Sequence, residues 1–479
     1  MVGFAALRVR IEFVKTEVAS MALQDFLARL VCCCPIPSAA AGVSLLLATA
    51  LASQPSRTAD EEWRRSKPDV VVYLPRDGEQ HDGDNEMLIV FPAAQGDELV
   101  GMWTQSSVEG RGDNRIMLAR SSDGVTWSEP VKVVGTSPGT NEPQASWAVP
   151  VVVRSGRIYL FYIREQKPQA EDRQVSGGLG VVYSDDTGHT WRPGPDLAVP
   201  RNRFDDPDPT VPKKFWFWTS AVRDRKGRWL LGYTQVTSTK VRPKPAKEWP
   251  HADTRCAFIR FENLDEAAGP GEIRATWLPT DREGLEVPNK LYPEISTCQE
   301  PGTVLLPDGR LLVVMRTFTG HPYYSVSDDD GAAWRKPEPL CYRDGSEKVK
   351  HPISPCPLFR LADGRFLLVF HNNDGTLGSH SQWKKRWTTN EANHIRRPTF
   401  IALGEFRPEA HQPIWFSPPQ EILDTGGVIV GPKRTAEVGT YPSLTEWRGR
   451  RTLWYPDRKY YLLGKHLPDA LLSEMPVPR

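Results

Sequence analysis

The sequence predicts an all-β protein, a six-bladed β-propeller of four-stranded antiparallel blades, and three observations carry that prediction. An apolar run, a Gly-containing turn and a second apolar run occur together six times, and five of the six turns are Gly-Arg. A second motif, S-x-D-x-G-x-x-W, recurs between these hairpins. Trp, Pro and Gly number 16, 43 and 37 in 479 residues while helical periodicity is scarce, as expected of many short strands joined by turns. Multi-strand units repeated at such intervals are the signature of blades around an axis.

In chain order, the first 60 residues stand apart as a targeting segment and linker, and the propeller is expected from 61 to 479. Ala39 to Ala52 is a short apolar run ending in small residues, preceded by Arg29, with an Ala-x-Ala-type site near Leu51-Ala52-Ser53. It is too short for a comfortable membrane span, so export to the periplasm or cell exterior is expected, with Met21 as the translation start. A retained anchor is the alternative. Cys32, Cys33 and Cys34 would leave with this segment. Cys256, Cys298, Cys341 and Cys356 remain, suited to two disulfides in any of three pairings or to buried free thiols, and without CxxC zinc spacing. A formal charge of +1 gives no reason to expect nucleic acid or an anionic membrane as a partner.

The six hairpins run from Met87 to Trp103, Val149 to Tyr162, Trp218 to Tyr233, Thr303 to Arg316, Leu358 to His371 and Leu444 to Tyr455. The second motif stands at Ser184 to Trp191 and Ser327 to Trp334, and one residue shorter at Ser121 to Trp127. In each, Asp accepts from turn amides, Gly takes positive φ and Trp packs back between strands, so these residues build the fold and do no chemistry. Val70 to Leu74 is expected as the outer strand of the blade made by residues 440 to 465, because an unpaired edge is a liability.

Chemistry is concentrated in Gln299 to Arg316. A hairpin returns its exit to the level of its entry, so Glu300 and Arg316 emerge at the same end, and buried strands ending in opposite charges suggest a site at the mouth of the sheet. This stretch, the three turn motifs and Gly439-Thr440-Tyr441-Pro442-Ser443-Leu444 together resemble the sialidase (neuraminidase) superfamily, over about residues 85 to 479. The resemblance implies an exo-acting retaining glycoside hydrolase that releases a terminal sialic acid or related acidic sugar from a glycan. It implies no metal or organic cofactor. Its alternatives are a hydrolase for another anionic glycoside and a carbohydrate-binding propeller without catalysis.

By that resemblance Tyr441 is the nucleophile, Glu300 takes its proton, and Arg316 belongs to a clamp on the sugar carboxylate. A phenol suits an anionic substrate that would repel a carboxylate nucleophile, and arginine suits the clamp through its permanent charge and bidentate fork. A second clamp residue is Arg396 or Arg397, of which strand alternation lets only one face the site, with Arg397 preferred. The family's first clamp arginine is missing: Trp147-Ala148-Val149-Pro150 places Ala148 there, and Arg111, Arg115 or Lys213 would have to substitute. Asp113 is expected as the acid/base, with Glu109 on the same loop also qualifying. Trp216 would stack on a sugar face, and His371 and Asn373 would bond hydroxyls. Asp205-Asp206-Pro207-Asp208 is expected as a solvated turn rather than a Ca²⁺ site. The loop from Gly375 to His394 is long enough to overhang the mouth.

Overall fold

A computed structural model describes residues 59–478 apart from 79, 95, 167–173, 248, 268 and 376–394. The apolar run at 39–52, Met21, the first three cysteines and nearly all of the expected overhanging loop lie outside the described residues. The chain from Ala59 to Arg479 forms one compact unit. It is all-β and propeller-like, and among the described residues it has one short α-helix, Asp469–Ser473, near the C-terminus.

Antiparallel sheets follow one another along the chain. The first is four-stranded: Asp84–Pro92, Leu99–Ser106, Arg115–Ser121 and Val131–Gly135. Another four-stranded sheet runs from Cys298–Leu305 through Leu311–Thr317 and Tyr323–Ser327 to Glu338–Pro339. A five-stranded sheet spans Leu358 to Leu423. In the last, Ser443–Trp447, Arg450–Asp457 and Tyr461–His466 are joined by Val70–Tyr73 at the outer edge, where Val70 pairs Gly464. The N-terminal strand thus covers the C-terminal sheet, as expected from the cost of an open edge.

The expectation of six separate four-stranded blades needs correction between Ala145 and Leu278, where a single nine-stranded sheet is found. The cause is the strand Lys213–Trp216. Its first half pairs with Ser176 and Gly177 and its second half with Thr234 and Gln235, stitching two units together.

Between sheets the inward residues of neighbouring strands interleave. Val304, Leu312 and Val314 pack against Phe366, Leu368 and Ala402, all essentially buried. The motif turns behave as their chemistry dictates. Asp186 Oδ1 accepts from Thr190 N at 2.8 Å, Ser184 Oγ accepts from Gly188 N at 2.7 Å, and Trp191 Nε1 donates to Gly188 O at 3.0 Å, with Gly188 at φ 87°. Ser327–Trp334 repeats this network, and Ser121–Trp127 repeats its Asp and Ser bonds.

Candidate active site

Four strand entries share an unusual backbone device. Met87, Trp147, Glu300 and Tyr441 have φ of 56°, 49°, 52° and 59°, the left-handed region that non-glycine residues rarely occupy. In three of them the ladder skips here, between Glu86 and Ile89, Ser146 and Val149, and Gln299 and Gly302. The fourth begins its ladder at Ser443, two residues past Tyr441, the same offset. Such a bulge re-aims a side chain out of the strand's alternation. All four side chains line one cavity of about 880 Å³. Strain of this kind, about 1–3 kcal/mol per residue, gathers where the surrounding structure must hold a group in place.

The centre of the cavity is Tyr441. Its Oη donates to Glu300 Oε1 at 3.1 Å and accepts from Arg316 Nη1 at 3.2 Å. Arg316 Nη1 also donates to Glu300 Oε1 at 2.6 Å, and Trp216 Nε1 donates to the same oxygen at 3.2 Å. Glu300 and Arg316 thus meet at one end of their hairpin, as its geometry requires. Burial, and then the Glu300 carboxylate, push the phenol well above its ordinary pKa, while Arg316, Lys459 and Arg396 pull against them. Met87, Trp147, Phe217 and Trp218 belong to the apolar cluster beneath it, with the Trp218 ring 6.2 Å from that of Tyr441.

Of the two adjacent arginines, Arg396 lines the cavity. Its Nη1 donates to Glu437 Oε2 at 2.9 Å, and its Nε and Nη2 to Ile353 O at 3.1 and 2.9 Å. Arg397, the expected clamp residue, points away and forks onto Asp424, two bonds of 2.9 Å each. Alternation along the chain separates them as predicted, with the opposite assignment.

The acid/base expectation is also corrected. Asp113 Oδ2 accepts from Ser107 N at 3.0 Å, closing its own loop, and Asp113 does not line the cavity. Glu109 does, and its Oε2 accepts from Lys433 at 2.6 Å and Lys459 at 2.8 Å. Burial alone would raise the Glu109 carboxyl, but the two ammonium groups outweigh it and hold it far below the usual carboxylate range.

The other expected substrate contacts divide. Trp216 lines the cavity, held to Glu300. Lys213 lines its wall but is paired with Asp205 at 2.7 Å. Arg111 is exposed outside the lining, and Arg115 is bonded to Gln105 and to His81 O. His371 is buried flat against His351 and bonded to Pro398 O, and Asn373 Nδ2 holds three backbone carbonyls of its own neighbourhood. Neither lines the cavity, because both spend their polar atoms fastening chain segments. Asp206 and Asp208 each accept from an amide two residues on, consistent with a turn.

Ala148, which follows Trp147 at its strand entry, is buried in the core between sheets. The corresponding entry of the first sheet is Glu86-Met87. Glu86 is buried, its Oε1 accepting from Trp147 Nε1 at 2.7 Å and its Oε2 from Lys459 Nζ at 2.7 Å. Asp84, Glu86 and Glu109 bring carboxylate oxygens within 4.8 Å of one another, the spacing of a cation site. The Lys459 ammonium already stands against two of the three, so they fit a metal poorly. All four cysteines in the described residues are free thiols, the second of the two readings open to them; Cys256 and Cys298 have sulfurs 3.5 Å apart.

Sequence reasoning missed Lys459, Lys433 and Glu86. Asp457-Arg458-Lys459-Tyr460 has the look of a solvated hairpin turn, yet Asp457, Arg458 and Lys459 are all buried. The one available signal was the aromatic flanking of these charges, Tyr455-Pro456 before and Tyr460-Tyr461 after.

A propeller-like array of antiparallel sheets of this kind is the sialidase fold class. This chain belongs to the BNR repeat-like domain family, whose model matches residues 97–450. No curated protein matches the sequence. Solved structures share the fold at low identity. An intramolecular trans-sialidase from Ruminococcus gnavus, in complex with oseltamivir carboxylate, has a TM-score of 0.54 at 13% identity, over 85% of this chain and 98% of that one. A sialidase of Streptococcus pneumoniae has 0.54 at 11%, over 83% and 69%. A Dyadobacter fermentans protein of unknown function has 0.55 at 14%, over 84% and 97%.

Proposed function

We propose that the protein is a retaining glycoside hydrolase of sialidase type that removes a terminal acidic sugar from a glycan. The observation that carries this reading is the Tyr441–Glu300–Arg316 contact at the cavity floor. A phenol 3.1 Å from a carboxylate can pass its proton as its oxygen bonds to the anomeric carbon. The glycosidic bond breaks as that bond forms, the phenol proton goes to Glu300, and the leaving oxygen takes a proton from solvent, since Lys433 and Lys459 hold Glu109 ionised. Water then attacks the glycosyl-tyrosine, oriented by the Glu109 carboxylate and losing its proton to solvent while the Tyr441 oxygen regains its proton from Glu300, and the sugar departs with its configuration retained. Arg316 and Arg396 hold the sugar carboxylate, and Trp216 offers an aromatic wall. In the same reading the nine-stranded sheet counts as two blades joined by Lys213–Trp216, giving six, and the apolar run at 39–52 directs export.

A second reading, a hydrolase for a different anionic glycoside, is favoured by Ala148 at the position where a clamp arginine was expected. Hydrolysis of a fluorogenic sialoside and a fluorogenic uronide by the purified protein separates the two, with Tyr441→Phe and Glu300→Ala as controls. Turnover of the sialoside that both substitutions abolish supports the proposal. Turnover that survives Tyr441→Phe removes the nucleophile assignment, and turnover of the uronide alone selects the second reading.

A further inference from the structure

We propose that Lys459 is the third cation of an anion cradle, binding the substrate carboxylate beside Arg316 and Arg396, with Glu86 as its fixed counter-ion. The inference rests on the acidic-sugar reading and assigns a specificity-determining residue to that site.

Position is the first support. Lys459 lines the cavity, and its Nζ lies 5.4 Å from the centroid of the Tyr441 ring. Arg316 reaches the same phenol from another side through Nη1. Arg396 completes the set in the cavity lining, so a strand residue, a residue of the segment before Thr399–Phe406 and a hairpin-turn residue bring three cations to one cavity.

The charge facing the cavity is the second. Seven Lys and Arg side chains, Arg316, Arg396, Lys433 and Lys459 among them, line the cavity against four carboxylates, Glu109, Asp205, Asp206 and Glu300. Glu86 and Glu437, the buried partners of Lys459 and Arg396, lie outside the lining. The counter-charges are therefore set behind the cations, and the surface presented to a ligand is positive. An ammonium has three donors. Among the described residues, those of Lys459 reach Glu86 and Glu109, which leaves one for a ligand.

Rigidity is the third. Arg458 and Lys459 are consecutive left-handed residues, φ 58° and 51°. Lys459 O accepts from Asn85 N at 2.7 Å, and Arg458 N donates to Glu437 O at 2.7 Å. The turn is thereby fastened to the first sheet and to the segment that carries the Arg396 counter-ion. Both Glu86 oxygens are occupied, by Trp147 and by Lys459. An ammonium held this firmly is pre-organised for an anion, and binding costs it little side-chain entropy.

The test compares two probes that differ only in charge, the glycal of sialic acid and its carboxamide, by calorimetric titration of the purified protein. Binding avoids the complication that Lys459 also controls the proton on Glu109. The variants are Lys459→Gln, Lys459→Arg and Lys459→Gln/Glu86→Gln; the last removes both charges together, so no unpaired carboxylate is left buried. The carboxylate probe is expected to bind the double variant about 10- to 100-fold more weakly than wild type, the scale of one lost charged hydrogen bond. Carboxamide affinity and the unfolding midpoint should stay near wild type, and Lys459→Arg should keep the preference. An unchanged preference in a folded double variant overturns the role of Lys459 while leaving the proposed function standing. A wild type that binds the two probes equally overturns the acidic-sugar reading and this inference with it.

Discussion

The adjacent arginines ahead of the strand Thr399–Phe406 give the sharpest test of the site's geometry, because the same substitution should have unequal consequences. Arg396 and Glu437 retain 4% and 1% side-chain exposure, against 21% and 30% for Arg397 and Asp424. Arg396→Met leaves the Glu437 carboxylate buried without its partner and Ile353 O without its donors, a loss of about 3–5 kcal/mol for breaking a buried pair. Arg397→Met removes a partly solvated pair and should cost about 1 kcal/mol or less. Urea unfolding followed by Trp fluorescence at neutral pH measures both. Arg396→Met/Glu437→Gln should recover most of the loss, since removing both charges removes the uncompensated one. The acidic glycal should bind more weakly to that double variant and normally to Arg397→Met. Equal destabilisation by the two single substitutions, or no rescue by Glu437→Gln, would refute the orientation argued here.

Two further outcomes follow from the carboxylates around Lys459. Asp84 is buried beside Glu86, and burial first, then that neighbour, push its pKa well above the ordinary value, with Oδ1 lacking a hydrogen-bond partner among the described residues. A raised native pKa means that the folded state binds a proton the unfolded state gives up, so this stability is present below about pH 4 and is lost as pH rises toward the native pKa. Asp84→Asn fixes the neutral form and should gain about 1–3 kcal/mol over wild type as pH rises to neutrality, with little gain at low pH, checked by unfolding across that range. Lys433→Gln, by removing one of two cations that depress Glu109, should raise the pKa of that carboxyl, read by NMR titration of its side-chain carboxyl signal; Glu109→Gln should lose more activity than Asp113→Asn.

The fold was legible because its signals are local. Gly-Arg turns between apolar runs, Asp–Gly–Trp turns and the need to cover an edge each act over a few residues, and all six hairpins and the pairing of Val70–Tyr73 with Tyr461–His466 are present. The reach of Lys213–Trp216 to strands on both sides was not, since pairing partners are chosen in three dimensions. At the site, Glu300, Arg316 and Tyr441 were readable from their strand entries. Arg396 against Arg397 was not, because alternation supplies a period but no phase where the chain leaves a turn. Asp113 and Glu109 are both acidic residues on one loop, and only the arrival of Lys433 and Lys459 from the far end of the chain tells them apart.

The Glu86–Lys459 pair is the hardest feature to see in the sequence, since 373 residues separate its members. Once the four left-handed entries are aligned, it becomes intelligible. Met87, Trp147, Glu300 and Tyr441 occupy equivalent positions in their sheets, so the site is one backbone device filled with different chemistry: two apolar side chains for the floor, a base and a phenol. Glu86, the residue before the first of them, lies outside the cavity lining, where a charge survives only if paired. A cation at position 86 would have needed a carboxylate from the closing hairpin. With a carboxylate at 86, that hairpin instead brings a cation, and Lys459 carries to the cavity the positive charge that the first strand does not.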